Sequence, residues 1–566
     1  MAKILVTRQG IKHQLSESIR SPDFLKTSPF IESIVSIVIF ASALVIRLWL
    51  MFYRGVDYYG DSYHHWLISY LTATNGYAYT DFKPKTMNIV WLPLYHYANA
   101  FFMNLTGIYD LTVPHALNLV LGSLACVLVY KITKQFCNRE ILGIAAGSAL
   151  ALQPWFIDLN TLALTETLSS FLVVLAIYYY FQNKPIHFIT PLMLAMLTRY
   201  ETWFIAGTLL TIAVIQRRFS IRWQISMICA TCAVIVGWCL WSFVNTNDPL
   251  AWYHMESSMV VWDVRYLYRI SGFNLSRLGN FVVMALEVTS LLLPIGLVAG
   301  FLEKRTGVRT LAVLGLAFMV YVSMQVFAGE SLSEPRFLVY MFPITSILFA
   351  SIPGNVKLKG LFLKKRLVAI FLLTVVLLPL LNIGMFPQMT YVIKPEMDAG
   401  LALGALYKGG GVLCDSPTVI YYSKIDPKKF FPSTLIFWYI QNYDMKRLKE
   451  WYTKNDIRYV VWENVSYSAL WWLFPGLSSG KGRVDLTGSK ISIDYFLVYT
   501  KFYRFDTRVN RISIYRISFA STNQRLGLRL EKNPTHEAEM LNDIQGRSKG
   551  IQSILEQFPL DFSHPA

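Results

Sequence analysis

Long apolar runs, separated by short polar segments, fill the chain from residue 30 to about residue 387. A helix of about 20 apolar residues spans the roughly 30 Å hydrocarbon layer of a membrane. The pattern therefore predicts an α-helical polytopic membrane protein with about eleven spans. They are 30–52, 113–133, 139–157, 162–181, 187–199, 201–216, 222–245, 278–302, 309–329, 336–353 and 367–387.

The apolar run at 88–105 decides on which side the later loops lie. If this run spans the membrane, Lys131, Lys134 and Arg139 fall outside; if it lies on the outer surface, they fall inside. The second arrangement also places every later basic cluster on one side, as the positive-inside rule requires. We therefore expect a cytoplasmic N-terminus, no cleaved signal peptide, and a C-terminal domain on the external or lumenal side of the membrane.

The composition supports a membrane protein and explains the excess of positive charge. Of 566 residues, 54% are apolar and 15% are charged, whereas soluble domains carry about 25% charged residues. The net charge of +17 would suggest nucleic acid as the partner of a soluble protein. Here the bases collect in the predicted cytoplasmic loops, so we expect no nucleic-acid binding. Most acids of the membrane part collect on the external side: Asp57, Asp61, Asp81, Asp110, Asp158, Asp248, Glu256, Asp263, Glu330 and Glu334.

Three regions follow from these patterns. Residues 1–387 form the transmembrane domain, with an unusually long first external loop at 54–112. Residues 388–520 are polar and mixed, which indicates a small extracytoplasmic α/β domain, and 521–566 form a polar tail. The predicted elements of the α/β domain are strands at 411–414, 418–422, 458–463, 495–500 and 511–516 and a helix at 434–454. Its Trp-rich patches at 436–440 and 469–474 fit either a core or a membrane contact, and we favour the core.

Asp61 stands directly after Gly60, just beyond the first span. One reading makes it the N-cap of a helix at 62–72, since Asp is favoured there. The other makes it a functional carboxylate at the outer membrane boundary. His64 and His65 follow it, but adjacent side chains point in different directions on a helix. At most one of the two histidines could join Asp61 in a metal site.

Further acids and arginines reach the same side from separate segments. Asp158 ends the third span, and Glu166 lies about one turn inside the fourth. Ionisable groups at that depth should be paired or line a cavity. Arg199 and Glu201 occupy the turn between two short spans, where a mutual ion pair is the alternative to function. Glu334 and Arg336 precede a late span. Carboxylates suit general-base work and arginines suit phosphate binding.

The order of these features resembles that of the GT-C glycosyltransferases, membrane enzymes that use polyprenyl-phosphate-linked sugars. The group includes the protein O-mannosyltransferases, the aminoarabinose transferases and, more distantly, the oligosaccharyltransferase catalytic subunit. The resemblance covers residues 30–520, and the W-W-D-Y-G motif of the oligosaccharyltransferase is absent. The matching motifs are GDSYHHW (60–66), WLPLYHY (91–97), LTETLSS (164–170), MLTRYETW (196–203) and SEPRFLVYMFP (333–343).

The resemblance implies an enzyme that moves a sugar from a polyprenyl-phosphate donor to an external protein, lipid or glycan acceptor, with inversion. Asp61 and Glu166 match the catalytic acids, with Asp61 as base, and Arg199 and Arg336 match donor-phosphate positions. We expect no metal, although GDSYHHW leaves room for Mg or Mn near Asp61. The further substrate-binding candidates are Tyr63, His65, Trp91, Asp158, Glu201 and Glu334. For the aromatic residues the alternative is the ordinary interfacial belt.

Two other functions are also compatible with the sequence. One is an oligosaccharyltransferase-like transfer of a whole glycan. The other is a polytopic transporter or a non-catalytic scaffold. Transporters usually carry inverted repeats and ionisable residues near the middle of the bilayer. No repeat is visible in this sequence, and Glu287, the main charge that could lie deeper in the bilayer, does not by itself support a transport path. A mannosyltransferase-like enzyme in a plasma membrane or an endoplasmic reticulum is therefore the preferred interpretation.

Overall fold

The protein is represented by a computed structural model that describes most of the chain. The described residues are 29–75, 90–254, 275–289, 292–303, 305–329, 331, 334–352, 393–433, 436, 445–464, 470, 473–479, 481–485, 492–505 and 508–519. The predicted span at 367–387 and the predicted tail at 521–566 lie outside the described residues.

Helices make up the membrane part. In chain order the principal ones are α1 (Pro29–Arg54), α2 (Gly60–Asn75), α3 (Leu94–Thr106), α4 (Thr112–Cys137), α5 (Glu140–Ala151), α6 (Pro154–Asn160), α7 (Glu166–Phe181), α8 (Pro185–Met196), α9 (Glu201–Ile215), α10 (Ile221–Thr246), α11 (Leu275–Val288), α12 (Leu292–Leu302), α13 (Thr306–Ala328) and α14 (Met341–Ser351). A 3₁₀ turn, Pro335–Leu338, leads into α14. The predicted α-helical architecture is confirmed.

Four described helices, α1, α4, α10 and α13, are long and apolar enough to cross a membrane alone, and two bent pairs could add to them. The protein is therefore a multi-pass integral membrane protein. Helix α3 has 13 residues and a length of about 20 Å at 1.5 Å per residue, too short for the hydrocarbon layer. This agrees with a surface position for 88–105. The orientation of the termini and the full number of spans stay predictions.

One predicted span, 139–157, is two helices in the structure. Helices α5 and α6 meet at an angle of 62°, with Pro154 as the first residue of α6. Proline cannot donate the hydrogen bond that would continue a helix, and its ring clashes with the preceding turn. The Gln153 side chain instead accepts a hydrogen bond from the Phe156 amide at 2.7 Å. The predicted span 278–302 is likewise divided, into α11 and α12.

The C-terminal region folds as a mixed six-stranded sheet. Its strands are β1 (Gly411–Leu413), β2 (Phe430–Phe431), β3 (Ile457–Glu463), β4 (Lys481–Asp485), β5 (Ser492–Phe505) and β6 (Arg508–Phe519), in the spatial order β2-β1-β3-β6-β5-β4. Strand β1 pairs in parallel with β2 and β3, and the other pairs are antiparallel. Helices α15 (Lys394–Leu406), α16 (Pro417–Ser423) and α17 (Met445–Lys454) accompany the sheet.

The predicted strand at 418–422 is wrong, because this segment forms helix α16. Its run of β-branched and aromatic residues is typical of a strand. However, Pro417 is the first residue of the helix, and the Ser416 hydroxyl accepts a hydrogen bond from the Val419 amide at 3.3 Å. This combination of N-cap and proline starts a helix. The short strands β2 and β4 were not predicted.

Two apolar cores matter for the site. The larger one joins the membrane helices, whereas a second one joins α2 to the C-terminal sheet. In this second core Tyr63, Trp66 and Leu67 of α2 pack with Val419 and Ile420 of α16 and with strand residues such as Tyr459. The described members of the Trp-rich patches, Ile436, Leu470, Leu473 and Phe474, belong to a third core within the α/β region. The core interpretation of those patches is therefore confirmed for these residues.

Candidate active site

Asp61 lies in the first turn of α2, which begins at Gly60. A carboxylate is favoured there because the free amides of a helix N-terminus carry partial positive charge. The side chain is one of the more accessible acids of the cluster, with 33% of its surface exposed. Its Oδ2 atom accepts a hydrogen bond from Nη1 of Arg336. Asp61 is thus a partly exposed carboxylate held by one arginine.

Arg336 belongs to the 3₁₀ turn that precedes α14, and it bridges two acids. Besides Asp61, it contacts Glu334, whose Oε2 lies 2.6 Å from its Nε. Pro335, at the start of the turn, separates the extended Glu334 from Arg336. The Glu-Pro-Arg sequence therefore places the carboxylate and the guanidinium side by side on one short turn.

A second arginine is held in the same way by two other acids. Arg199 lies between α8 and α9, and its Nη1 is 2.7 Å from Oε1 of Glu166, the first residue of α7. It also forms a two-point contact with Glu201, at 3.1 Å and 2.6 Å. The Arg199–Glu201 ion pair, which was the alternative to a functional role, is therefore present, and Glu166 joins it.

The two arginines share one aromatic neighbour, Phe337. The guanidinium carbon of Arg199 lies 5.8 Å from the centre of that ring, and the one of Arg336 lies 5.4 Å from it. Tyr59 covers Arg336 from another side at 5.4 Å. Such cation–π contacts fix a guanidinium without consuming its N–H donors. Neither Tyr59 nor Phe337 was predicted as a site residue, although the aromatic residue directly after Arg336 was a visible signal in the sequence.

The structure thus brings six of the predicted residues together in one group, called the arginine cluster from here on. Its members are Asp61, Glu166, Arg199, Glu201, Glu334 and Arg336. They come from four separate chain segments. Burial raises the pKa of Asp61, but the charge and the hydrogen bond of Arg336, together with smaller contributions from the neighbouring histidines, outweigh burial and hold that pKa well below its usual value. For Glu334 burial outweighs the same arginine and raises the pKa. The cluster therefore contains carboxylates of different basicity.

A wall of imidazole and indole rings adjoins Asp61. His65 lies one helical turn after it, and its Nδ1 is 3.0 Å from Nε2 of His96 on α3. Burial and the neighbouring His96 lower the pKa of His65 well below its usual value, and burial lowers that of His96 to about 3. Both rings are therefore neutral near pH 7. The Trp91 ring lies 5.2 Å from His65 and 5.6 Å from His64.

Asp158 lies in a separate, fully buried network. Its Oδ1 is 2.7 Å from Nη1 of Arg54, and its Oδ2 accepts a hydrogen bond from Tyr58. Arg54 also approaches Asp57 at 3.5 Å, and His115 lies 3.0 Å from the same carboxylate. Burial raises the pKa of Asp57, but His115 and Arg54 outweigh it and lower that pKa to about 2. This network ties the end of α1 to α6.

We expect Asp158→Ala to lower the free energy of unfolding by about 3 kcal/mol, because the buried guanidinium of Arg54 loses its nearest carboxylate partner. Thermal unfolding of the detergent-solubilised protein measures the loss. The control is Arg483→Ala, which removes an exposed pair with Asp494 at 2.8 Å and should cost under about 1 kcal/mol. Equal effects of the two substitutions would contradict a structural role for the buried network.

Tyr63 occupies the face of α2 opposite to Asp61. It is fully buried, and its hydroxyl contacts the Asp57 carbonyl oxygen and the Tyr422 hydroxyl. The Tyr63 hydroxyl therefore contacts the C-terminal domain rather than the arginine cluster. Within the described residues, no group of three or more His, Cys, Asp or Glu side chains is arranged to hold a metal ion.

Comparisons with known proteins bear on the fold. No protein-family model and no curated protein sequence matches the chain. Among solved structures, ArnT from Cupriavidus metallidurans bound to undecaprenyl phosphate superposes with a TM-score of 0.55 and 10% identity, over 84% of this chain and 97% of that one. Its apo state gives a TM-score of 0.51 and 11% identity over the same shares. ArnT is a GT-C aminoarabinose transferase.

The chain has the GT-C fold. The resemblance inferred from the sequence motifs is thereby confirmed for the fold. The Archaeoglobus fulgidus oligosaccharyltransferase, solved with zinc and sulfate, is also similar, with a TM-score of 0.48 and 13% identity. It covers 75% of this chain and 67% of that one. At this level of identity the GT-C likeness describes the architecture, and the chemistry depends on the side chains described above.

Proposed function

We propose that this GT-C protein is a glycosyltransferase that moves a sugar from a polyprenyl-phosphate donor to a hydroxyl of a protein, lipid or glycan acceptor. The observation that supports it most is the pair of arginines, Arg199 and Arg336, held by acids beside the accessible carboxylate of Asp61. The structural likeness to ArnT, which was solved with undecaprenyl phosphate, supports the class of donor. The reaction would take place on the external or lumenal side.

The chemistry needs a cation at the phosphate and a base at the acceptor. A sugar joined to a lipid phosphate departs from an anionic leaving group, and preformed positive charge stabilises that anion in the transition state. The acceptor oxygen attacks the anomeric carbon, while the bond from that carbon to the phosphate oxygen breaks. Asp61 takes the proton of the acceptor hydroxyl, and polyprenyl phosphate leaves. A single displacement of this kind inverts the anomeric configuration.

The Asp61–Arg336 contact gives this mechanism a switch. Arg336 binds the Asp61 carboxylate and thereby lowers its basicity. An incoming phosphate competes for the same guanidinium, since arginine binds phosphate and carboxylate through the same N–H donors. Once the phosphate draws Arg336 away, the pKa of Asp61 rises towards its usual range. The donor would therefore strengthen the base that the reaction needs.

The pH dependence of transfer follows from this competition. The pKa of Asp61 is held low in the free protein, so activity is lost only as pH falls through that low value. The kcat/KM profile reports the free enzyme and the kcat profile reports the donor complex. We expect the acidic limb of kcat to lie at higher pH than the acidic limb of kcat/KM. In Arg336→Gln the two limbs should coincide, and separate limbs in that variant would contradict the switch.

Radiolabelled donors test the proposed function. The purified protein in lipid nanodiscs should release polyprenyl phosphate and transfer label from a polyprenyl-monophosphate sugar. A nucleotide sugar serves as the control donor and should give no transfer. A panel of aminoarabinose, mannose and glucose donors, each with a membrane extract as the source of acceptors, covers the sugar. Transfer from the nucleotide sugar alone would contradict the proposal, as would absence of transfer from every lipid-linked donor.

A further inference from the structure

Helix α2 presents two opposite faces. Asp61 and His65 are four residues apart and lie on one face, whereas Tyr63, Trp66 and Tyr70 lie on the other, as the 100° step of a helix requires. The first face meets Arg336 and His96. The second packs on α16 of the C-terminal domain, where the Trp66 ring stands perpendicular to Tyr421 at 4.9 Å. The element that carries the candidate base therefore rests on the C-terminal domain.

A hydrogen-bonded relay crosses this contact. The Tyr63 hydroxyl donates to the Asp57 carbonyl oxygen at 3.1 Å. Because a carbonyl only accepts, the Tyr422 hydroxyl is the donor in its 3.0 Å contact with the Tyr63 oxygen. The bond from Tyr63 to Asp57 spans the turn of chain that contains Asp61. The two hydrogen bonds therefore connect Asp57 and Tyr63, which flank Asp61 in the chain, with Tyr422 of the C-terminal domain.

Tyr422, at the C-terminal-domain end of the relay, is held in place by tight packing between two helices. Helix α15 approaches α16 so closely that a Cβ atom at Gly400 would lie 2.8 Å from Cβ of Tyr422 and 2.8 Å from the Val419 carbonyl oxygen. A Cβ at Gly404 would meet the Ser423 carbonyl oxygen even more closely. Only glycine allows such an approach of two backbones. The position of Tyr422 is therefore set by the packing of α15 against α16.

We propose that Tyr422 of the C-terminal domain is a positioning residue, which acts through Tyr63 to hold the Asp61 carboxylate at the angle that acceptor deprotonation needs. This inference rests on the proposed transferase function. Tyr422 touches no residue of the arginine cluster in the described contacts, so donor binding does not depend on it. The relay affects the chemical step, because a base displaced by a fraction of an ångström loses much of its rate advantage.

Kinetics of Tyr→Phe variants test the positioning role. Both variants keep the ring packing. Tyr422→Phe removes one hydrogen bond and should lower kcat about fivefold, the effect of one hydrogen bond. Tyr63→Phe removes two and should lower kcat at least as much. The KM for the lipid donor should not change. The double variant should be no slower than Tyr63→Phe, because both substitutions break one relay. Independent, multiplicative losses or an unchanged kcat would overturn the proposal.

The matched control is Tyr459→Phe. Tyr459 lies in the same core, and its hydroxyl donates to the Leu406 carbonyl oxygen at 3.1 Å, a bond that does not lead to α2. This variant loses that bond and the one that the same hydroxyl accepts from the Lys408 amide, and it should keep the wild-type kcat. A fall in kcat equal to that of Tyr422→Phe would mean that loss of domain stability, rather than positioning, explains both results.

Amide hydrogen exchange needs no catalytic turnover, so it tests the positioning role of Tyr422 independently of the proposed reaction. Amide hydrogen exchange of a peptide covering residues 57–66 should be about fivefold faster in Tyr422→Phe, as loss of one hydrogen bond implies. It should be at least as fast in Tyr63→Phe, which loses two hydrogen bonds. It should be unchanged in Tyr459→Phe. If the wild type transfers no sugar but this exchange pattern is found, the relay stands and the proposed reaction fails. If sugar transfer is intact and exchange is unchanged, the relay fails alone.

Discussion

Asp61→Asn is expected to lower kcat for sugar transfer by about 10³-fold, within the range that general-base catalysis contributes. Asparagine keeps the shape and the hydrogen-bond acceptor of aspartate but cannot take a proton from the acceptor hydroxyl. The contact with Arg336 weakens without leaving a cavity. Initial rates with a saturating lipid-linked donor measure the effect. So large a loss is expected because Asp61, a partly exposed carboxylate in the first turn of α2, is the proposed base.

The control for this substitution is Asp110→Asn. Asp110 is an exposed acid of the same external loop, and its Oδ1 accepts a hydrogen bond from the Thr112 amide at 2.8 Å. It lies outside the arginine cluster, so its replacement should leave the rate within about twofold of wild type, as for an ordinary surface substitution. An Asp61→Asn variant that matches Asp110→Asn in rate would remove Asp61 from the mechanism.

Arg336→Gln is expected to lower kcat/KM for the donor by about 10² to 10³-fold, comparable to the loss of one preformed anion-stabilising donor. Arg336 is the cation that contacts Asp61 directly, and Tyr59 and Phe337 fix its plane. Free polyprenyl phosphate should also inhibit the variant less strongly than it inhibits wild type. Steady-state kinetics with that inhibitor measure both effects.

Arg336→Lys and Arg458→Gln complete this experiment. Lysine keeps the charge but loses the planar, two-point donor, so its defect should be intermediate. Arg458 is exposed and pairs with Asp456 at 2.7 Å on the surface of the C-terminal domain; its replacement should change nothing. Donor kinetics of Arg336→Gln that equal those of Arg458→Gln would contradict phosphate binding at this arginine.

The membrane architecture could be predicted because the bilayer dictates the length of apolar runs. The predicted spans 30–52, 113–133 and 222–245 differ from α1, α4 and α10 by a few residues at their ends. Breaks inside a run were harder to predict, since an apolar stretch around Pro154 looks continuous on a hydropathy scale. The strand expected at 418–422 failed for a similar reason: a local cap at Ser416 outweighed the strand propensity of the residues after it.

The candidate site could be predicted as a set of residues, but of its contacts only the Arg199–Glu201 pair could be named from the sequence. Sidedness alone brought Asp61 and Arg336 to one face of the membrane, although 275 positions separate them in the chain. Which acid pairs with which arginine depends on the packing of α2 against the turn before α14, and no spacing in the sequence encodes that. The same limit applies to Tyr63, whose position relative to Asp61 follows from helix geometry but whose partner, Tyr422, lies in another region.

Donor binding by Asp61→Asn tests the central claim most directly, because it separates phosphate binding from proton transfer. Equilibrium binding of a polyprenyl-phosphate sugar should be at least as tight as in wild type, since the substitution removes the carboxylate that competes for Arg336. Single-turnover transfer from the bound donor should nevertheless be slower by about 10³-fold. Loss of donor binding together with transfer, or transfer at the wild-type rate, would contradict the account.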